Sequence, residues 1–189
     1  MQLRWKKKDK QSATMVEPER TESRTFQDKS SAAQRFIRNV GDKFSSMVDL
    51  SQKVLSQIAK EKEILQGVFL ISITENGITK LKYLSGYACV RIETEESEFL
   101  PGEGLPGQVA KEGKILNLKA VPEGYVKIRT GLGEASPSSL IIIPIIYENI
   151  LYGVIELASF HEFTLADEKF FYTISEFIGS QMKIQQGTN

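Results

Sequence analysis

The strongest constraint on the fold is a pair of apolar segments near the end of the chain. Ser139–Tyr147 is almost wholly apolar and β-branched, and Leu151–Phe160 follows it after the polar pair Glu148-Asn149. Such a run suits a strand covered on both faces, and a short polar turn between two runs indicates a hairpin. Pro144 has no backbone N–H, so we expect it at a bulge or on a free edge.

A second hairpin is predicted in the first half of the chain. Val68–Ile73 has the composition of a strand, and Ile78–Ala88 alternates as its return strand. Asn76-Gly77 lies between them, and both residues accept the positive φ of a type I′ turn. The two hairpins together predict an antiparallel sheet.

The segment between the hairpins predicts only small elements. Turn residues at Leu100–Gly107 lead into a short helix at Gln108–Glu112, and Ile115–Leu118 has the composition of a short strand. Val121–Ala135 holds three glycines and one proline, which indicates a loop with at most one helical turn. We therefore expect a small middle region between two pairs of longer strands.

Amphipathic helices flank the strands at both ends. Apolar residues at spacings of three and four predict one long helix over Gln34–Lys62. The last helix begins near Thr164, which has capping-box spacing to Asp167, and its apolar face continues to Met182. The order helix, strands, middle region, strands, helix predicts an α+β fold whose antiparallel sheet carries both terminal helices on one face.

The start of the chain differs in composition from the rest. Residues 1–33 are polar, which predicts a disordered basic and polar tail, followed by a domain over 34–186 and a short tail at 187–189. Arg4–Lys10 holds five basic residues with Trp5 among them. This cluster suits either a solvated chain end or a weak contact with an anionic membrane surface. Of the two interpretations, the solvated end is the commoner.

Charge and cysteine content exclude several classes of protein. Lys and Arg together number 24, as do Asp and Glu, which argues against a nucleic-acid partner. Cys89 is the single cysteine, so no intramolecular disulfide forms, and the sequence has no zinc-ligand spacing. No stretch approaches about 20 uninterrupted apolar residues. These observations favour a cytoplasmic protein without a metal.

The sequence also gives little support for catalysis. A nucleophile needs a neighbouring base, and the single histidine, His161, has no Cys or Ser partner that the sequence brings near. Gly102, Gly104 and Gly107 match a dinucleotide-binding pattern, but the segment contains Pro106 and follows no βαβ strand. We therefore expect neither an enzyme nor a bound cofactor.

Three sequence patches carry a resemblance to a known family. They are Leu100–Ala110, which reads LPGEGLPGQVA, then Ser138–Ile145, which ends a strand in a proline, and Leu151–Phe160 followed by Phe163–Glu168. In this order and at these separations, the patches resemble the GAF domain family. The similarity covers roughly Phe44–Gln185.

The resemblance implies a GAF/PAS-like architecture, with a loop and short-helix pocket on the sheet face opposite the terminal helices. The segment between Glu98 and Ser139 would form the lid and walls of this pocket. Alternation along the last strand places Val154, Glu156 and Ala158 on one face, and Ile155 and Leu157 on the other. The ligand-binding residues so implied are Phe99, Leu105, Leu118, Tyr125, Arg129, Ser139, Ile141, Val154, Glu156 and Ala158.

Glu156 is the central candidate, because a carboxylate in an apolar strand is costly to bury unless it is paired. Its partner is Arg129, another residue of the middle region, or a donor group of a ligand. The alternative is an internal salt bridge or an exposed strand face. The glycines of the middle region have two interpretations of equal weight, tight turns or close approach to a ligand.

The sequence departs from several ligand classes of the family. Cyclic-nucleotide-binding members carry an Asn-Lys pair where this chain has Ala158-Ser159, so we do not expect a cyclic nucleotide. Bilin-binding members use a cysteine of the middle region, often beside a histidine, whereas Cys89 follows the second strand and His161 precedes the last helix. Methionine-sulfoxide-reducing members need several cysteines.

Two functional hypotheses remain. The first is a sensory or regulatory module that binds a small molecule or partner and signals through a homodimer formed by Gln34–Lys62 and Ala166–Gln185. The second is a structural dimerisation or interaction domain whose pocket is collapsed and filled by its own side chains.

Overall fold

The computed structural model describes residues 32–89, 98–122, 124–131 and 133–187. The predicted N-terminal tail lies outside the described residues, apart from Ala32 and Ala33, which are helical. The basic cluster Arg4–Lys10 lies outside them as well.

One antiparallel sheet of six strands forms the centre of the chain, in the order β3-β2-β1-β8-β7-β4, and β5 and β6 form a separate two-stranded hairpin. The strands are β1 (Gln66–Glu75), β2 (Ile78–Tyr87), β3 (Glu98–Phe99), β4 (Leu116–Leu118), β5 (Ile128–Thr130), β6 (Gly133–Ala135), β7 (Ser139–Tyr147) and β8 (Ile150–Ser159). The helices are α1 (residues 32–40), α2 (Met47–Glu61), α3 (Gly104–Glu112) and α4 (Leu165–Gly187). This is the predicted α+β fold.

The prediction of a single helix over Gln34–Lys62 is wrong. The chain leaves α1 at Gly41, whose φ is +74°, and a new helix begins after Ser46. Ser46 Oγ accepts a hydrogen bond from the N–H of Asp49 at 3.1 Å, and the Asp49 carboxylate accepts one from the N–H of Ser45 at 2.9 Å. Glycine at a left-handed position ends helices, and a Ser with Asp three residues later begins them. These local signals override the continuous apolar stripe.

The middle region also differs from its prediction in two places. Val121–Ala135 is not wholly a loop, because β5 and β6 pair within it. The short helix begins at Gly104 rather than at Gln108, so the turn-rich segment already contains its first turn. Gly107 explains the close fit of this turn, because a Cβ built on it would lie 2.2 Å from the backbone O of Leu100.

Both predicted hairpin turns are confirmed. Asn76 and Gly77 have φ values of 52° and 78°, and Glu148 and Asn149 have values of 50° and 62°. Positive φ at both central residues defines the type I′ turn, whose twist matches that of the strands. Pro144 lies in β7 beyond Ile142, the last residue paired with β4, so its missing N–H falls where β7 has a free edge.

The two faces of the sheet have different coverings. α1, α2 and α4 pack on one face, where α2 lies against β1 and β2 and α4 lies against β7 and β8. Phe36 of α1 meets Phe170 of α4 edge to face, with ring centroids 5.9 Å apart. α3 packs on the opposite face, against β7 and β8. The prediction that both terminal helices share one face is therefore confirmed.

The ends of α2 and α4 are joined by a polar cluster. Thr164 and Asp167 form the predicted capping box at the start of α4, since the N–H of Thr164 donates to Asp167 at 2.8 Å and the N–H of Asp167 donates to Thr164 Oγ1 at 3.3 Å. Lys62, which ends α2, donates to the Asp167 carboxylate at 2.5 Å and lies 4.7 Å from the centroid of the Phe170 ring. One cation thus holds the two helix ends together.

The close approach of β1 to β8 gives a first prediction, the effect of Gly153→Ala. A Cβ on Gly153 would lie 2.4 Å from the backbone O of Leu70 in β1. β1 cannot shift away from this atom, because it has a neighbouring strand on each side. We expect a loss of about 2 to 3 kcal/mol in the free energy of unfolding by urea. Gly131→Ala is the control, because a Cβ there meets nothing within 4 Å. An unchanged urea midpoint for Gly153→Ala would contradict this strand packing.

Candidate ligand-binding site

The sheet face opposite the terminal helices is apolar over most of its area. Side chains from β1, β2, β7 and β8 meet those of α3 there in one buried cluster. Its members are Leu70, Leu81, Val109, Leu140, Ile142, Val154 and Ala158. We call this surface the α3 face.

Glu156 lies near the centre of the α3 face. It is paired with Val68 of β1 on one side and Ile142 of β7 on the other, both of which have apolar side chains on the same face. The residue is partly buried. Among the described residues, its carboxylate has no ion-pair or hydrogen-bond partner. Burial without compensation disfavours the charged form, and it raises the pKa of Glu156 to about 7.

Tyr125 is the second polar group at this location. It lies on the segment that follows β4, where its N–H donates to the carbonyl of Pro122 at 3.1 Å, and its side chain is 39% exposed. Burial raises the pKa of Tyr125 above its usual value, and the negative charge of Glu156 adds to that rise. The electrostatic effect of one group on the other indicates that they share one environment.

Gly86 brings two further polar groups to the α3 face. It is paired with Val68, so Gly86, Val68 and Glu156 lie in one row across three strands. A Cβ on Gly86 would lie 2.3 Å from Cys89 Sγ and 2.8 Å from Tyr83 Oη. The missing side chain therefore leaves the room in which the thiol and the hydroxyl lie.

The Cys89 thiol is held by the backbone. Its Sγ donates to the carbonyl of Gly67 at 3.4 Å, and burial raises the pKa of this thiol above its usual range. A thiol with a raised pKa is a poor nucleophile. The sequence pattern did not indicate Cys89 or Tyr83 as site residues, although a glycine inside a strand signals close approach of another group.

Most of the predicted site residues come together on the α3 face. Val154 and Ala158 belong to its buried cluster, and Phe99, Leu105 and Leu118 pack against that cluster while remaining partly buried. Glu156 and Tyr125 complete the set. Seven of the ten positions thus share one surface. Whether they contact a ligand remains a prediction.

Three predicted site residues lie elsewhere. Ile141 packs in the core beneath the helices, and Ser139 shares its parity along β7 and donates to the carbonyl of His161. Leu140 and Ile142 are the β7 residues on the α3 face, so the prediction chose the wrong alternation of this strand. Arg129 lies on the exposed β5–β6 hairpin, 3.3 Å from Glu134, and is not the partner of Glu156.

A separate groove lies at the edge of the sheet beside α4. It has a volume of about 760 Å³, and its walls come from α4, the β7–β8 turn and the α3–β4 connection. Glu168, Lys169 and Glu176 give it a charged lining of both signs, and Tyr172 on its rim is 71% exposed. Unlike Glu156, the partly buried Glu168 of this groove has a partner, because it accepts a hydrogen bond from Asn117 Nδ2 at 2.7 Å.

The chain thus has an antiparallel sheet with the terminal helices on one face and a short helix over a partly polar centre on the other, which is one class of α+β domain. The chain belongs to the GAF domain family, since the model of that family, described as GAF domain, matches residues 45–181. Domains of this family generally bind small ligands and mediate signalling. Among curated proteins, no sequence matches this chain.

Solved structures support the same fold. The GAF domain of an Acinetobacter phosphoenolpyruvate-protein phosphotransferase is similar with a TM-score of 0.67 and 16% identity, over 85% of this chain and 96% of that chain. The GAF domain of the corresponding Coxiella burnetii protein gives a TM-score of 0.70 and 16% identity, over 86% and 96%.

The similar structures also include enzymes. The Neisseria meningitidis free methionine-R-sulfoxide reductase, solved in complex with its substrate, gives a TM-score of 0.61 and 10% identity, over 94% of this chain and 99% of that chain. At such identities the likeness establishes the fold alone. Across the described residues, no helix is both long enough and apolar enough to span a membrane.

The raised pKa of Glu156 predicts that Glu156→Gln stabilises the protein in a pH-dependent way. Between the ordinary value of 4.5 and about 7, the folded state keeps a proton that the unfolded state has lost. Stability therefore falls as pH rises through this interval, and the full cost is present above it. We expect the variant to be more stable than the parent by about 1 to 3 kcal/mol at pH 8 and equal to it near pH 4, in urea unfolding.

Glu176→Gln is the matched control, because Glu176 is an exposed residue of α4. It should change stability by less than about 0.5 kcal/mol at either pH. A Glu156→Gln variant that loses stability at pH 8 would mean that the carboxylate has a favourable partner.

Proposed function

We propose that this chain is a cytoplasmic regulatory GAF domain that binds a small molecule on the α3 face and signals through a helical homodimer. The observation that carries the proposal is the uncompensated carboxylate of Glu156 at the centre of an apolar surface. Such a group lowers stability at neutral pH. Perturbed ionisable groups in apolar surroundings are characteristic of functional sites.

The competing proposal is a structural domain whose α3 face is filled by its own side chains. One observation favours it, because Val109 of α3 is 2% exposed and Leu81 is 1% exposed, so part of this face is closely packed. We prefer ligand binding because close packing of apolar side chains alone gives no role to Glu156 or to the hydroxyl of Tyr125.

Thermal-shift screening of the full chain against amino acids, amines, nucleotides and metabolites tests ligand binding. A ligand that binds only the folded state raises the melting temperature with its concentration. Hydrogen exchange with a positive compound should then show protection in α3 and β8 and none in α4. The structural alternative is supported instead if no compound binds, or if protection is confined to the groove beside α4.

Dimerisation is proposed through the segments Gln34–Lys62 and Ala166–Gln185. Leu165 and Tyr172 of α4 are 76% and 71% exposed, and their spacing of seven residues places them on one face of the helix. A second copy of the chain would cover this surface in the dimer.

We expect Tyr172→Glu to weaken the dimer at least about tenfold in light scattering, because it introduces a charge into the interface. Ile78→Glu is the control, since Ile78 is equally apolar and 59% exposed but lies at the β1–β2 turn. If the parent chain is a monomer at high concentration, the dimer mechanism is lost.

We propose a regulatory role rather than an enzymatic one. Reduction of a sulfoxide by thiols within one chain ends in a disulfide and therefore needs two cysteines, whereas this chain has only Cys89. Incubation with free methionine sulfoxide and dithiothreitol should give no turnover above the rate without protein. Turnover that Glu156→Gln abolishes would establish an enzyme.

A further inference from the structure

We infer that the ligand of the α3 face is a compact apolar molecule carrying one positively charged nitrogen, with the Glu156 carboxylate as its ionic partner. The inference rests on the proposed function and gives it a chemical class. It comes from three features of the described part of this surface: the carboxylate of Glu156, the apolar residues around it, and the pairing of three basic residues elsewhere.

The apolar part of the ligand follows from the lining. Val68, Leu70, Leu140, Ile142 and Val154 lie on the same sheet face as Glu156, and all five side chains are aliphatic. Such a surface favours hydrocarbon, and it offers few donors or acceptors to a sugar or a polyhydroxylated molecule, whose hydroxyls would lose hydrogen bonds to water on entering. The preferred molecule is therefore small and mostly apolar.

The charge of the ligand follows from the cations, which are already engaged elsewhere. Lys127 and Arg129 both bind Glu134, at 2.6 and 3.3 Å, on the exposed hairpin. Lys80 binds Glu75 and Glu98 at 2.9 and 2.7 Å. The alternation of β2 places Lys80 on the face opposite Leu81 and hence away from the α3 face. None of these three cations is therefore placed to neutralise a phosphate or carboxylate ligand there.

A cationic nitrogen on the ligand would instead compensate the charge of the Glu156 carboxylate, which lowers the stability of the unbound protein. Charge-assisted hydrogen bonds to carboxylates are about twice as strong as neutral ones, and the apolar surroundings strengthen the attraction. Tyr125, which interacts electrostatically with the same carboxylate, adds an aromatic ring and a hydroxyl, and aromatic rings attract cations. Binding would keep Glu156 ionised, so it would release a proton near neutral pH.

The test uses the ligand-free full chain and two sets of probes that share a carbon skeleton. The first set is isobutylamine, isobutanol and isobutyrate, and the second is benzylamine, benzyl alcohol and benzoate. Dissociation constants are measured by NMR titration at pH 8. We expect each amine to bind at least about tenfold more tightly than its alcohol, with the acid weakest, because only the amine forms the ion pair.

Glu156→Gln separates the ion pair from general apolar binding. In this variant the affinity for the amines should fall at least about tenfold, and the affinity for the alcohols should be unchanged or higher. Glu176→Gln should leave both unchanged. The amide is close in size to the carboxyl, and an unchanged amide spectrum away from β8 verifies the fold.

The pH dependence of amine affinity distinguishes an ion pair with Glu156 from a purely structural role of this residue. The described titratable groups at this surface are Glu156, Tyr125, Tyr83 and Cys89. Burial raises the pKa values of Tyr125 and Cys89, which leaves them neutral near pH 7. Amine affinity should fall about tenfold between pH 8 and pH 6 as Glu156 gains a proton, and this loss should be absent in Glu156→Gln.

The inference is overturned if the alcohols or acids bind the parent chain as tightly as the amines, or if Glu156→Gln binds the amines normally. Absence of amine binding overturns it as well. In each of these cases the proposed function stands if the metabolite screen yields a ligand of another class that protects α3 and β8. It fails separately if that screen yields none.

Discussion

The pairing of β8 with β1 on one side and β7 on the other is the constraint on which the rest of the structure depends. It covers six residues of β8 on the β1 side and nine on the β7 side. Its alternation sends Ile155 and Leu157 into the helix-side core and Val154 and Ala158 to the α3 face. α2 and α4 can pack on one side only because this alternation is uniform in the middle of the strand. A shift of the register by one residue would bring Glu156 under the helices.

Strand patterns and turn residues predicted most of this arrangement, because they act locally. Short stretches such as Asn76-Gly77 and Thr164–Asp167 determine both hairpins, the capping box and the common face of the terminal helices. The split between α1 and α2 was missed because the apolar stripe continues across Gly41 and hides the break. Periodicity reports which residues face the core, whereas continuity of the backbone is decided by one or two residues at a cap.

The positions of the predicted site residues were correct only in part, for the same reason. The alternation of β8 placed Glu156 on the face opposite the terminal helices, where the structure has it, whereas the predicted β7 residues Ser139 and Ile141 lie on the helix side. A wholly apolar strand carries no polar residue to mark its two faces, so its parity cannot be read from composition. The group formed by Gly86, Tyr83 and Cys89 depends on contacts between residues that have no motif in common, and only coordinates bring them together.

The end of β8 has a consequence for how a change at Glu156 reaches the helices. Three residues beyond Glu156, the Ser159 hydroxyl donates to the carbonyl of Glu63 at 2.7 Å, and the neighbouring Lys62 holds the first turn of α4 through Asp167. Strand, α2 and α4 therefore meet at a single corner of the molecule. A displacement of this end of the strand would therefore act on the adjoining ends of both helices at once.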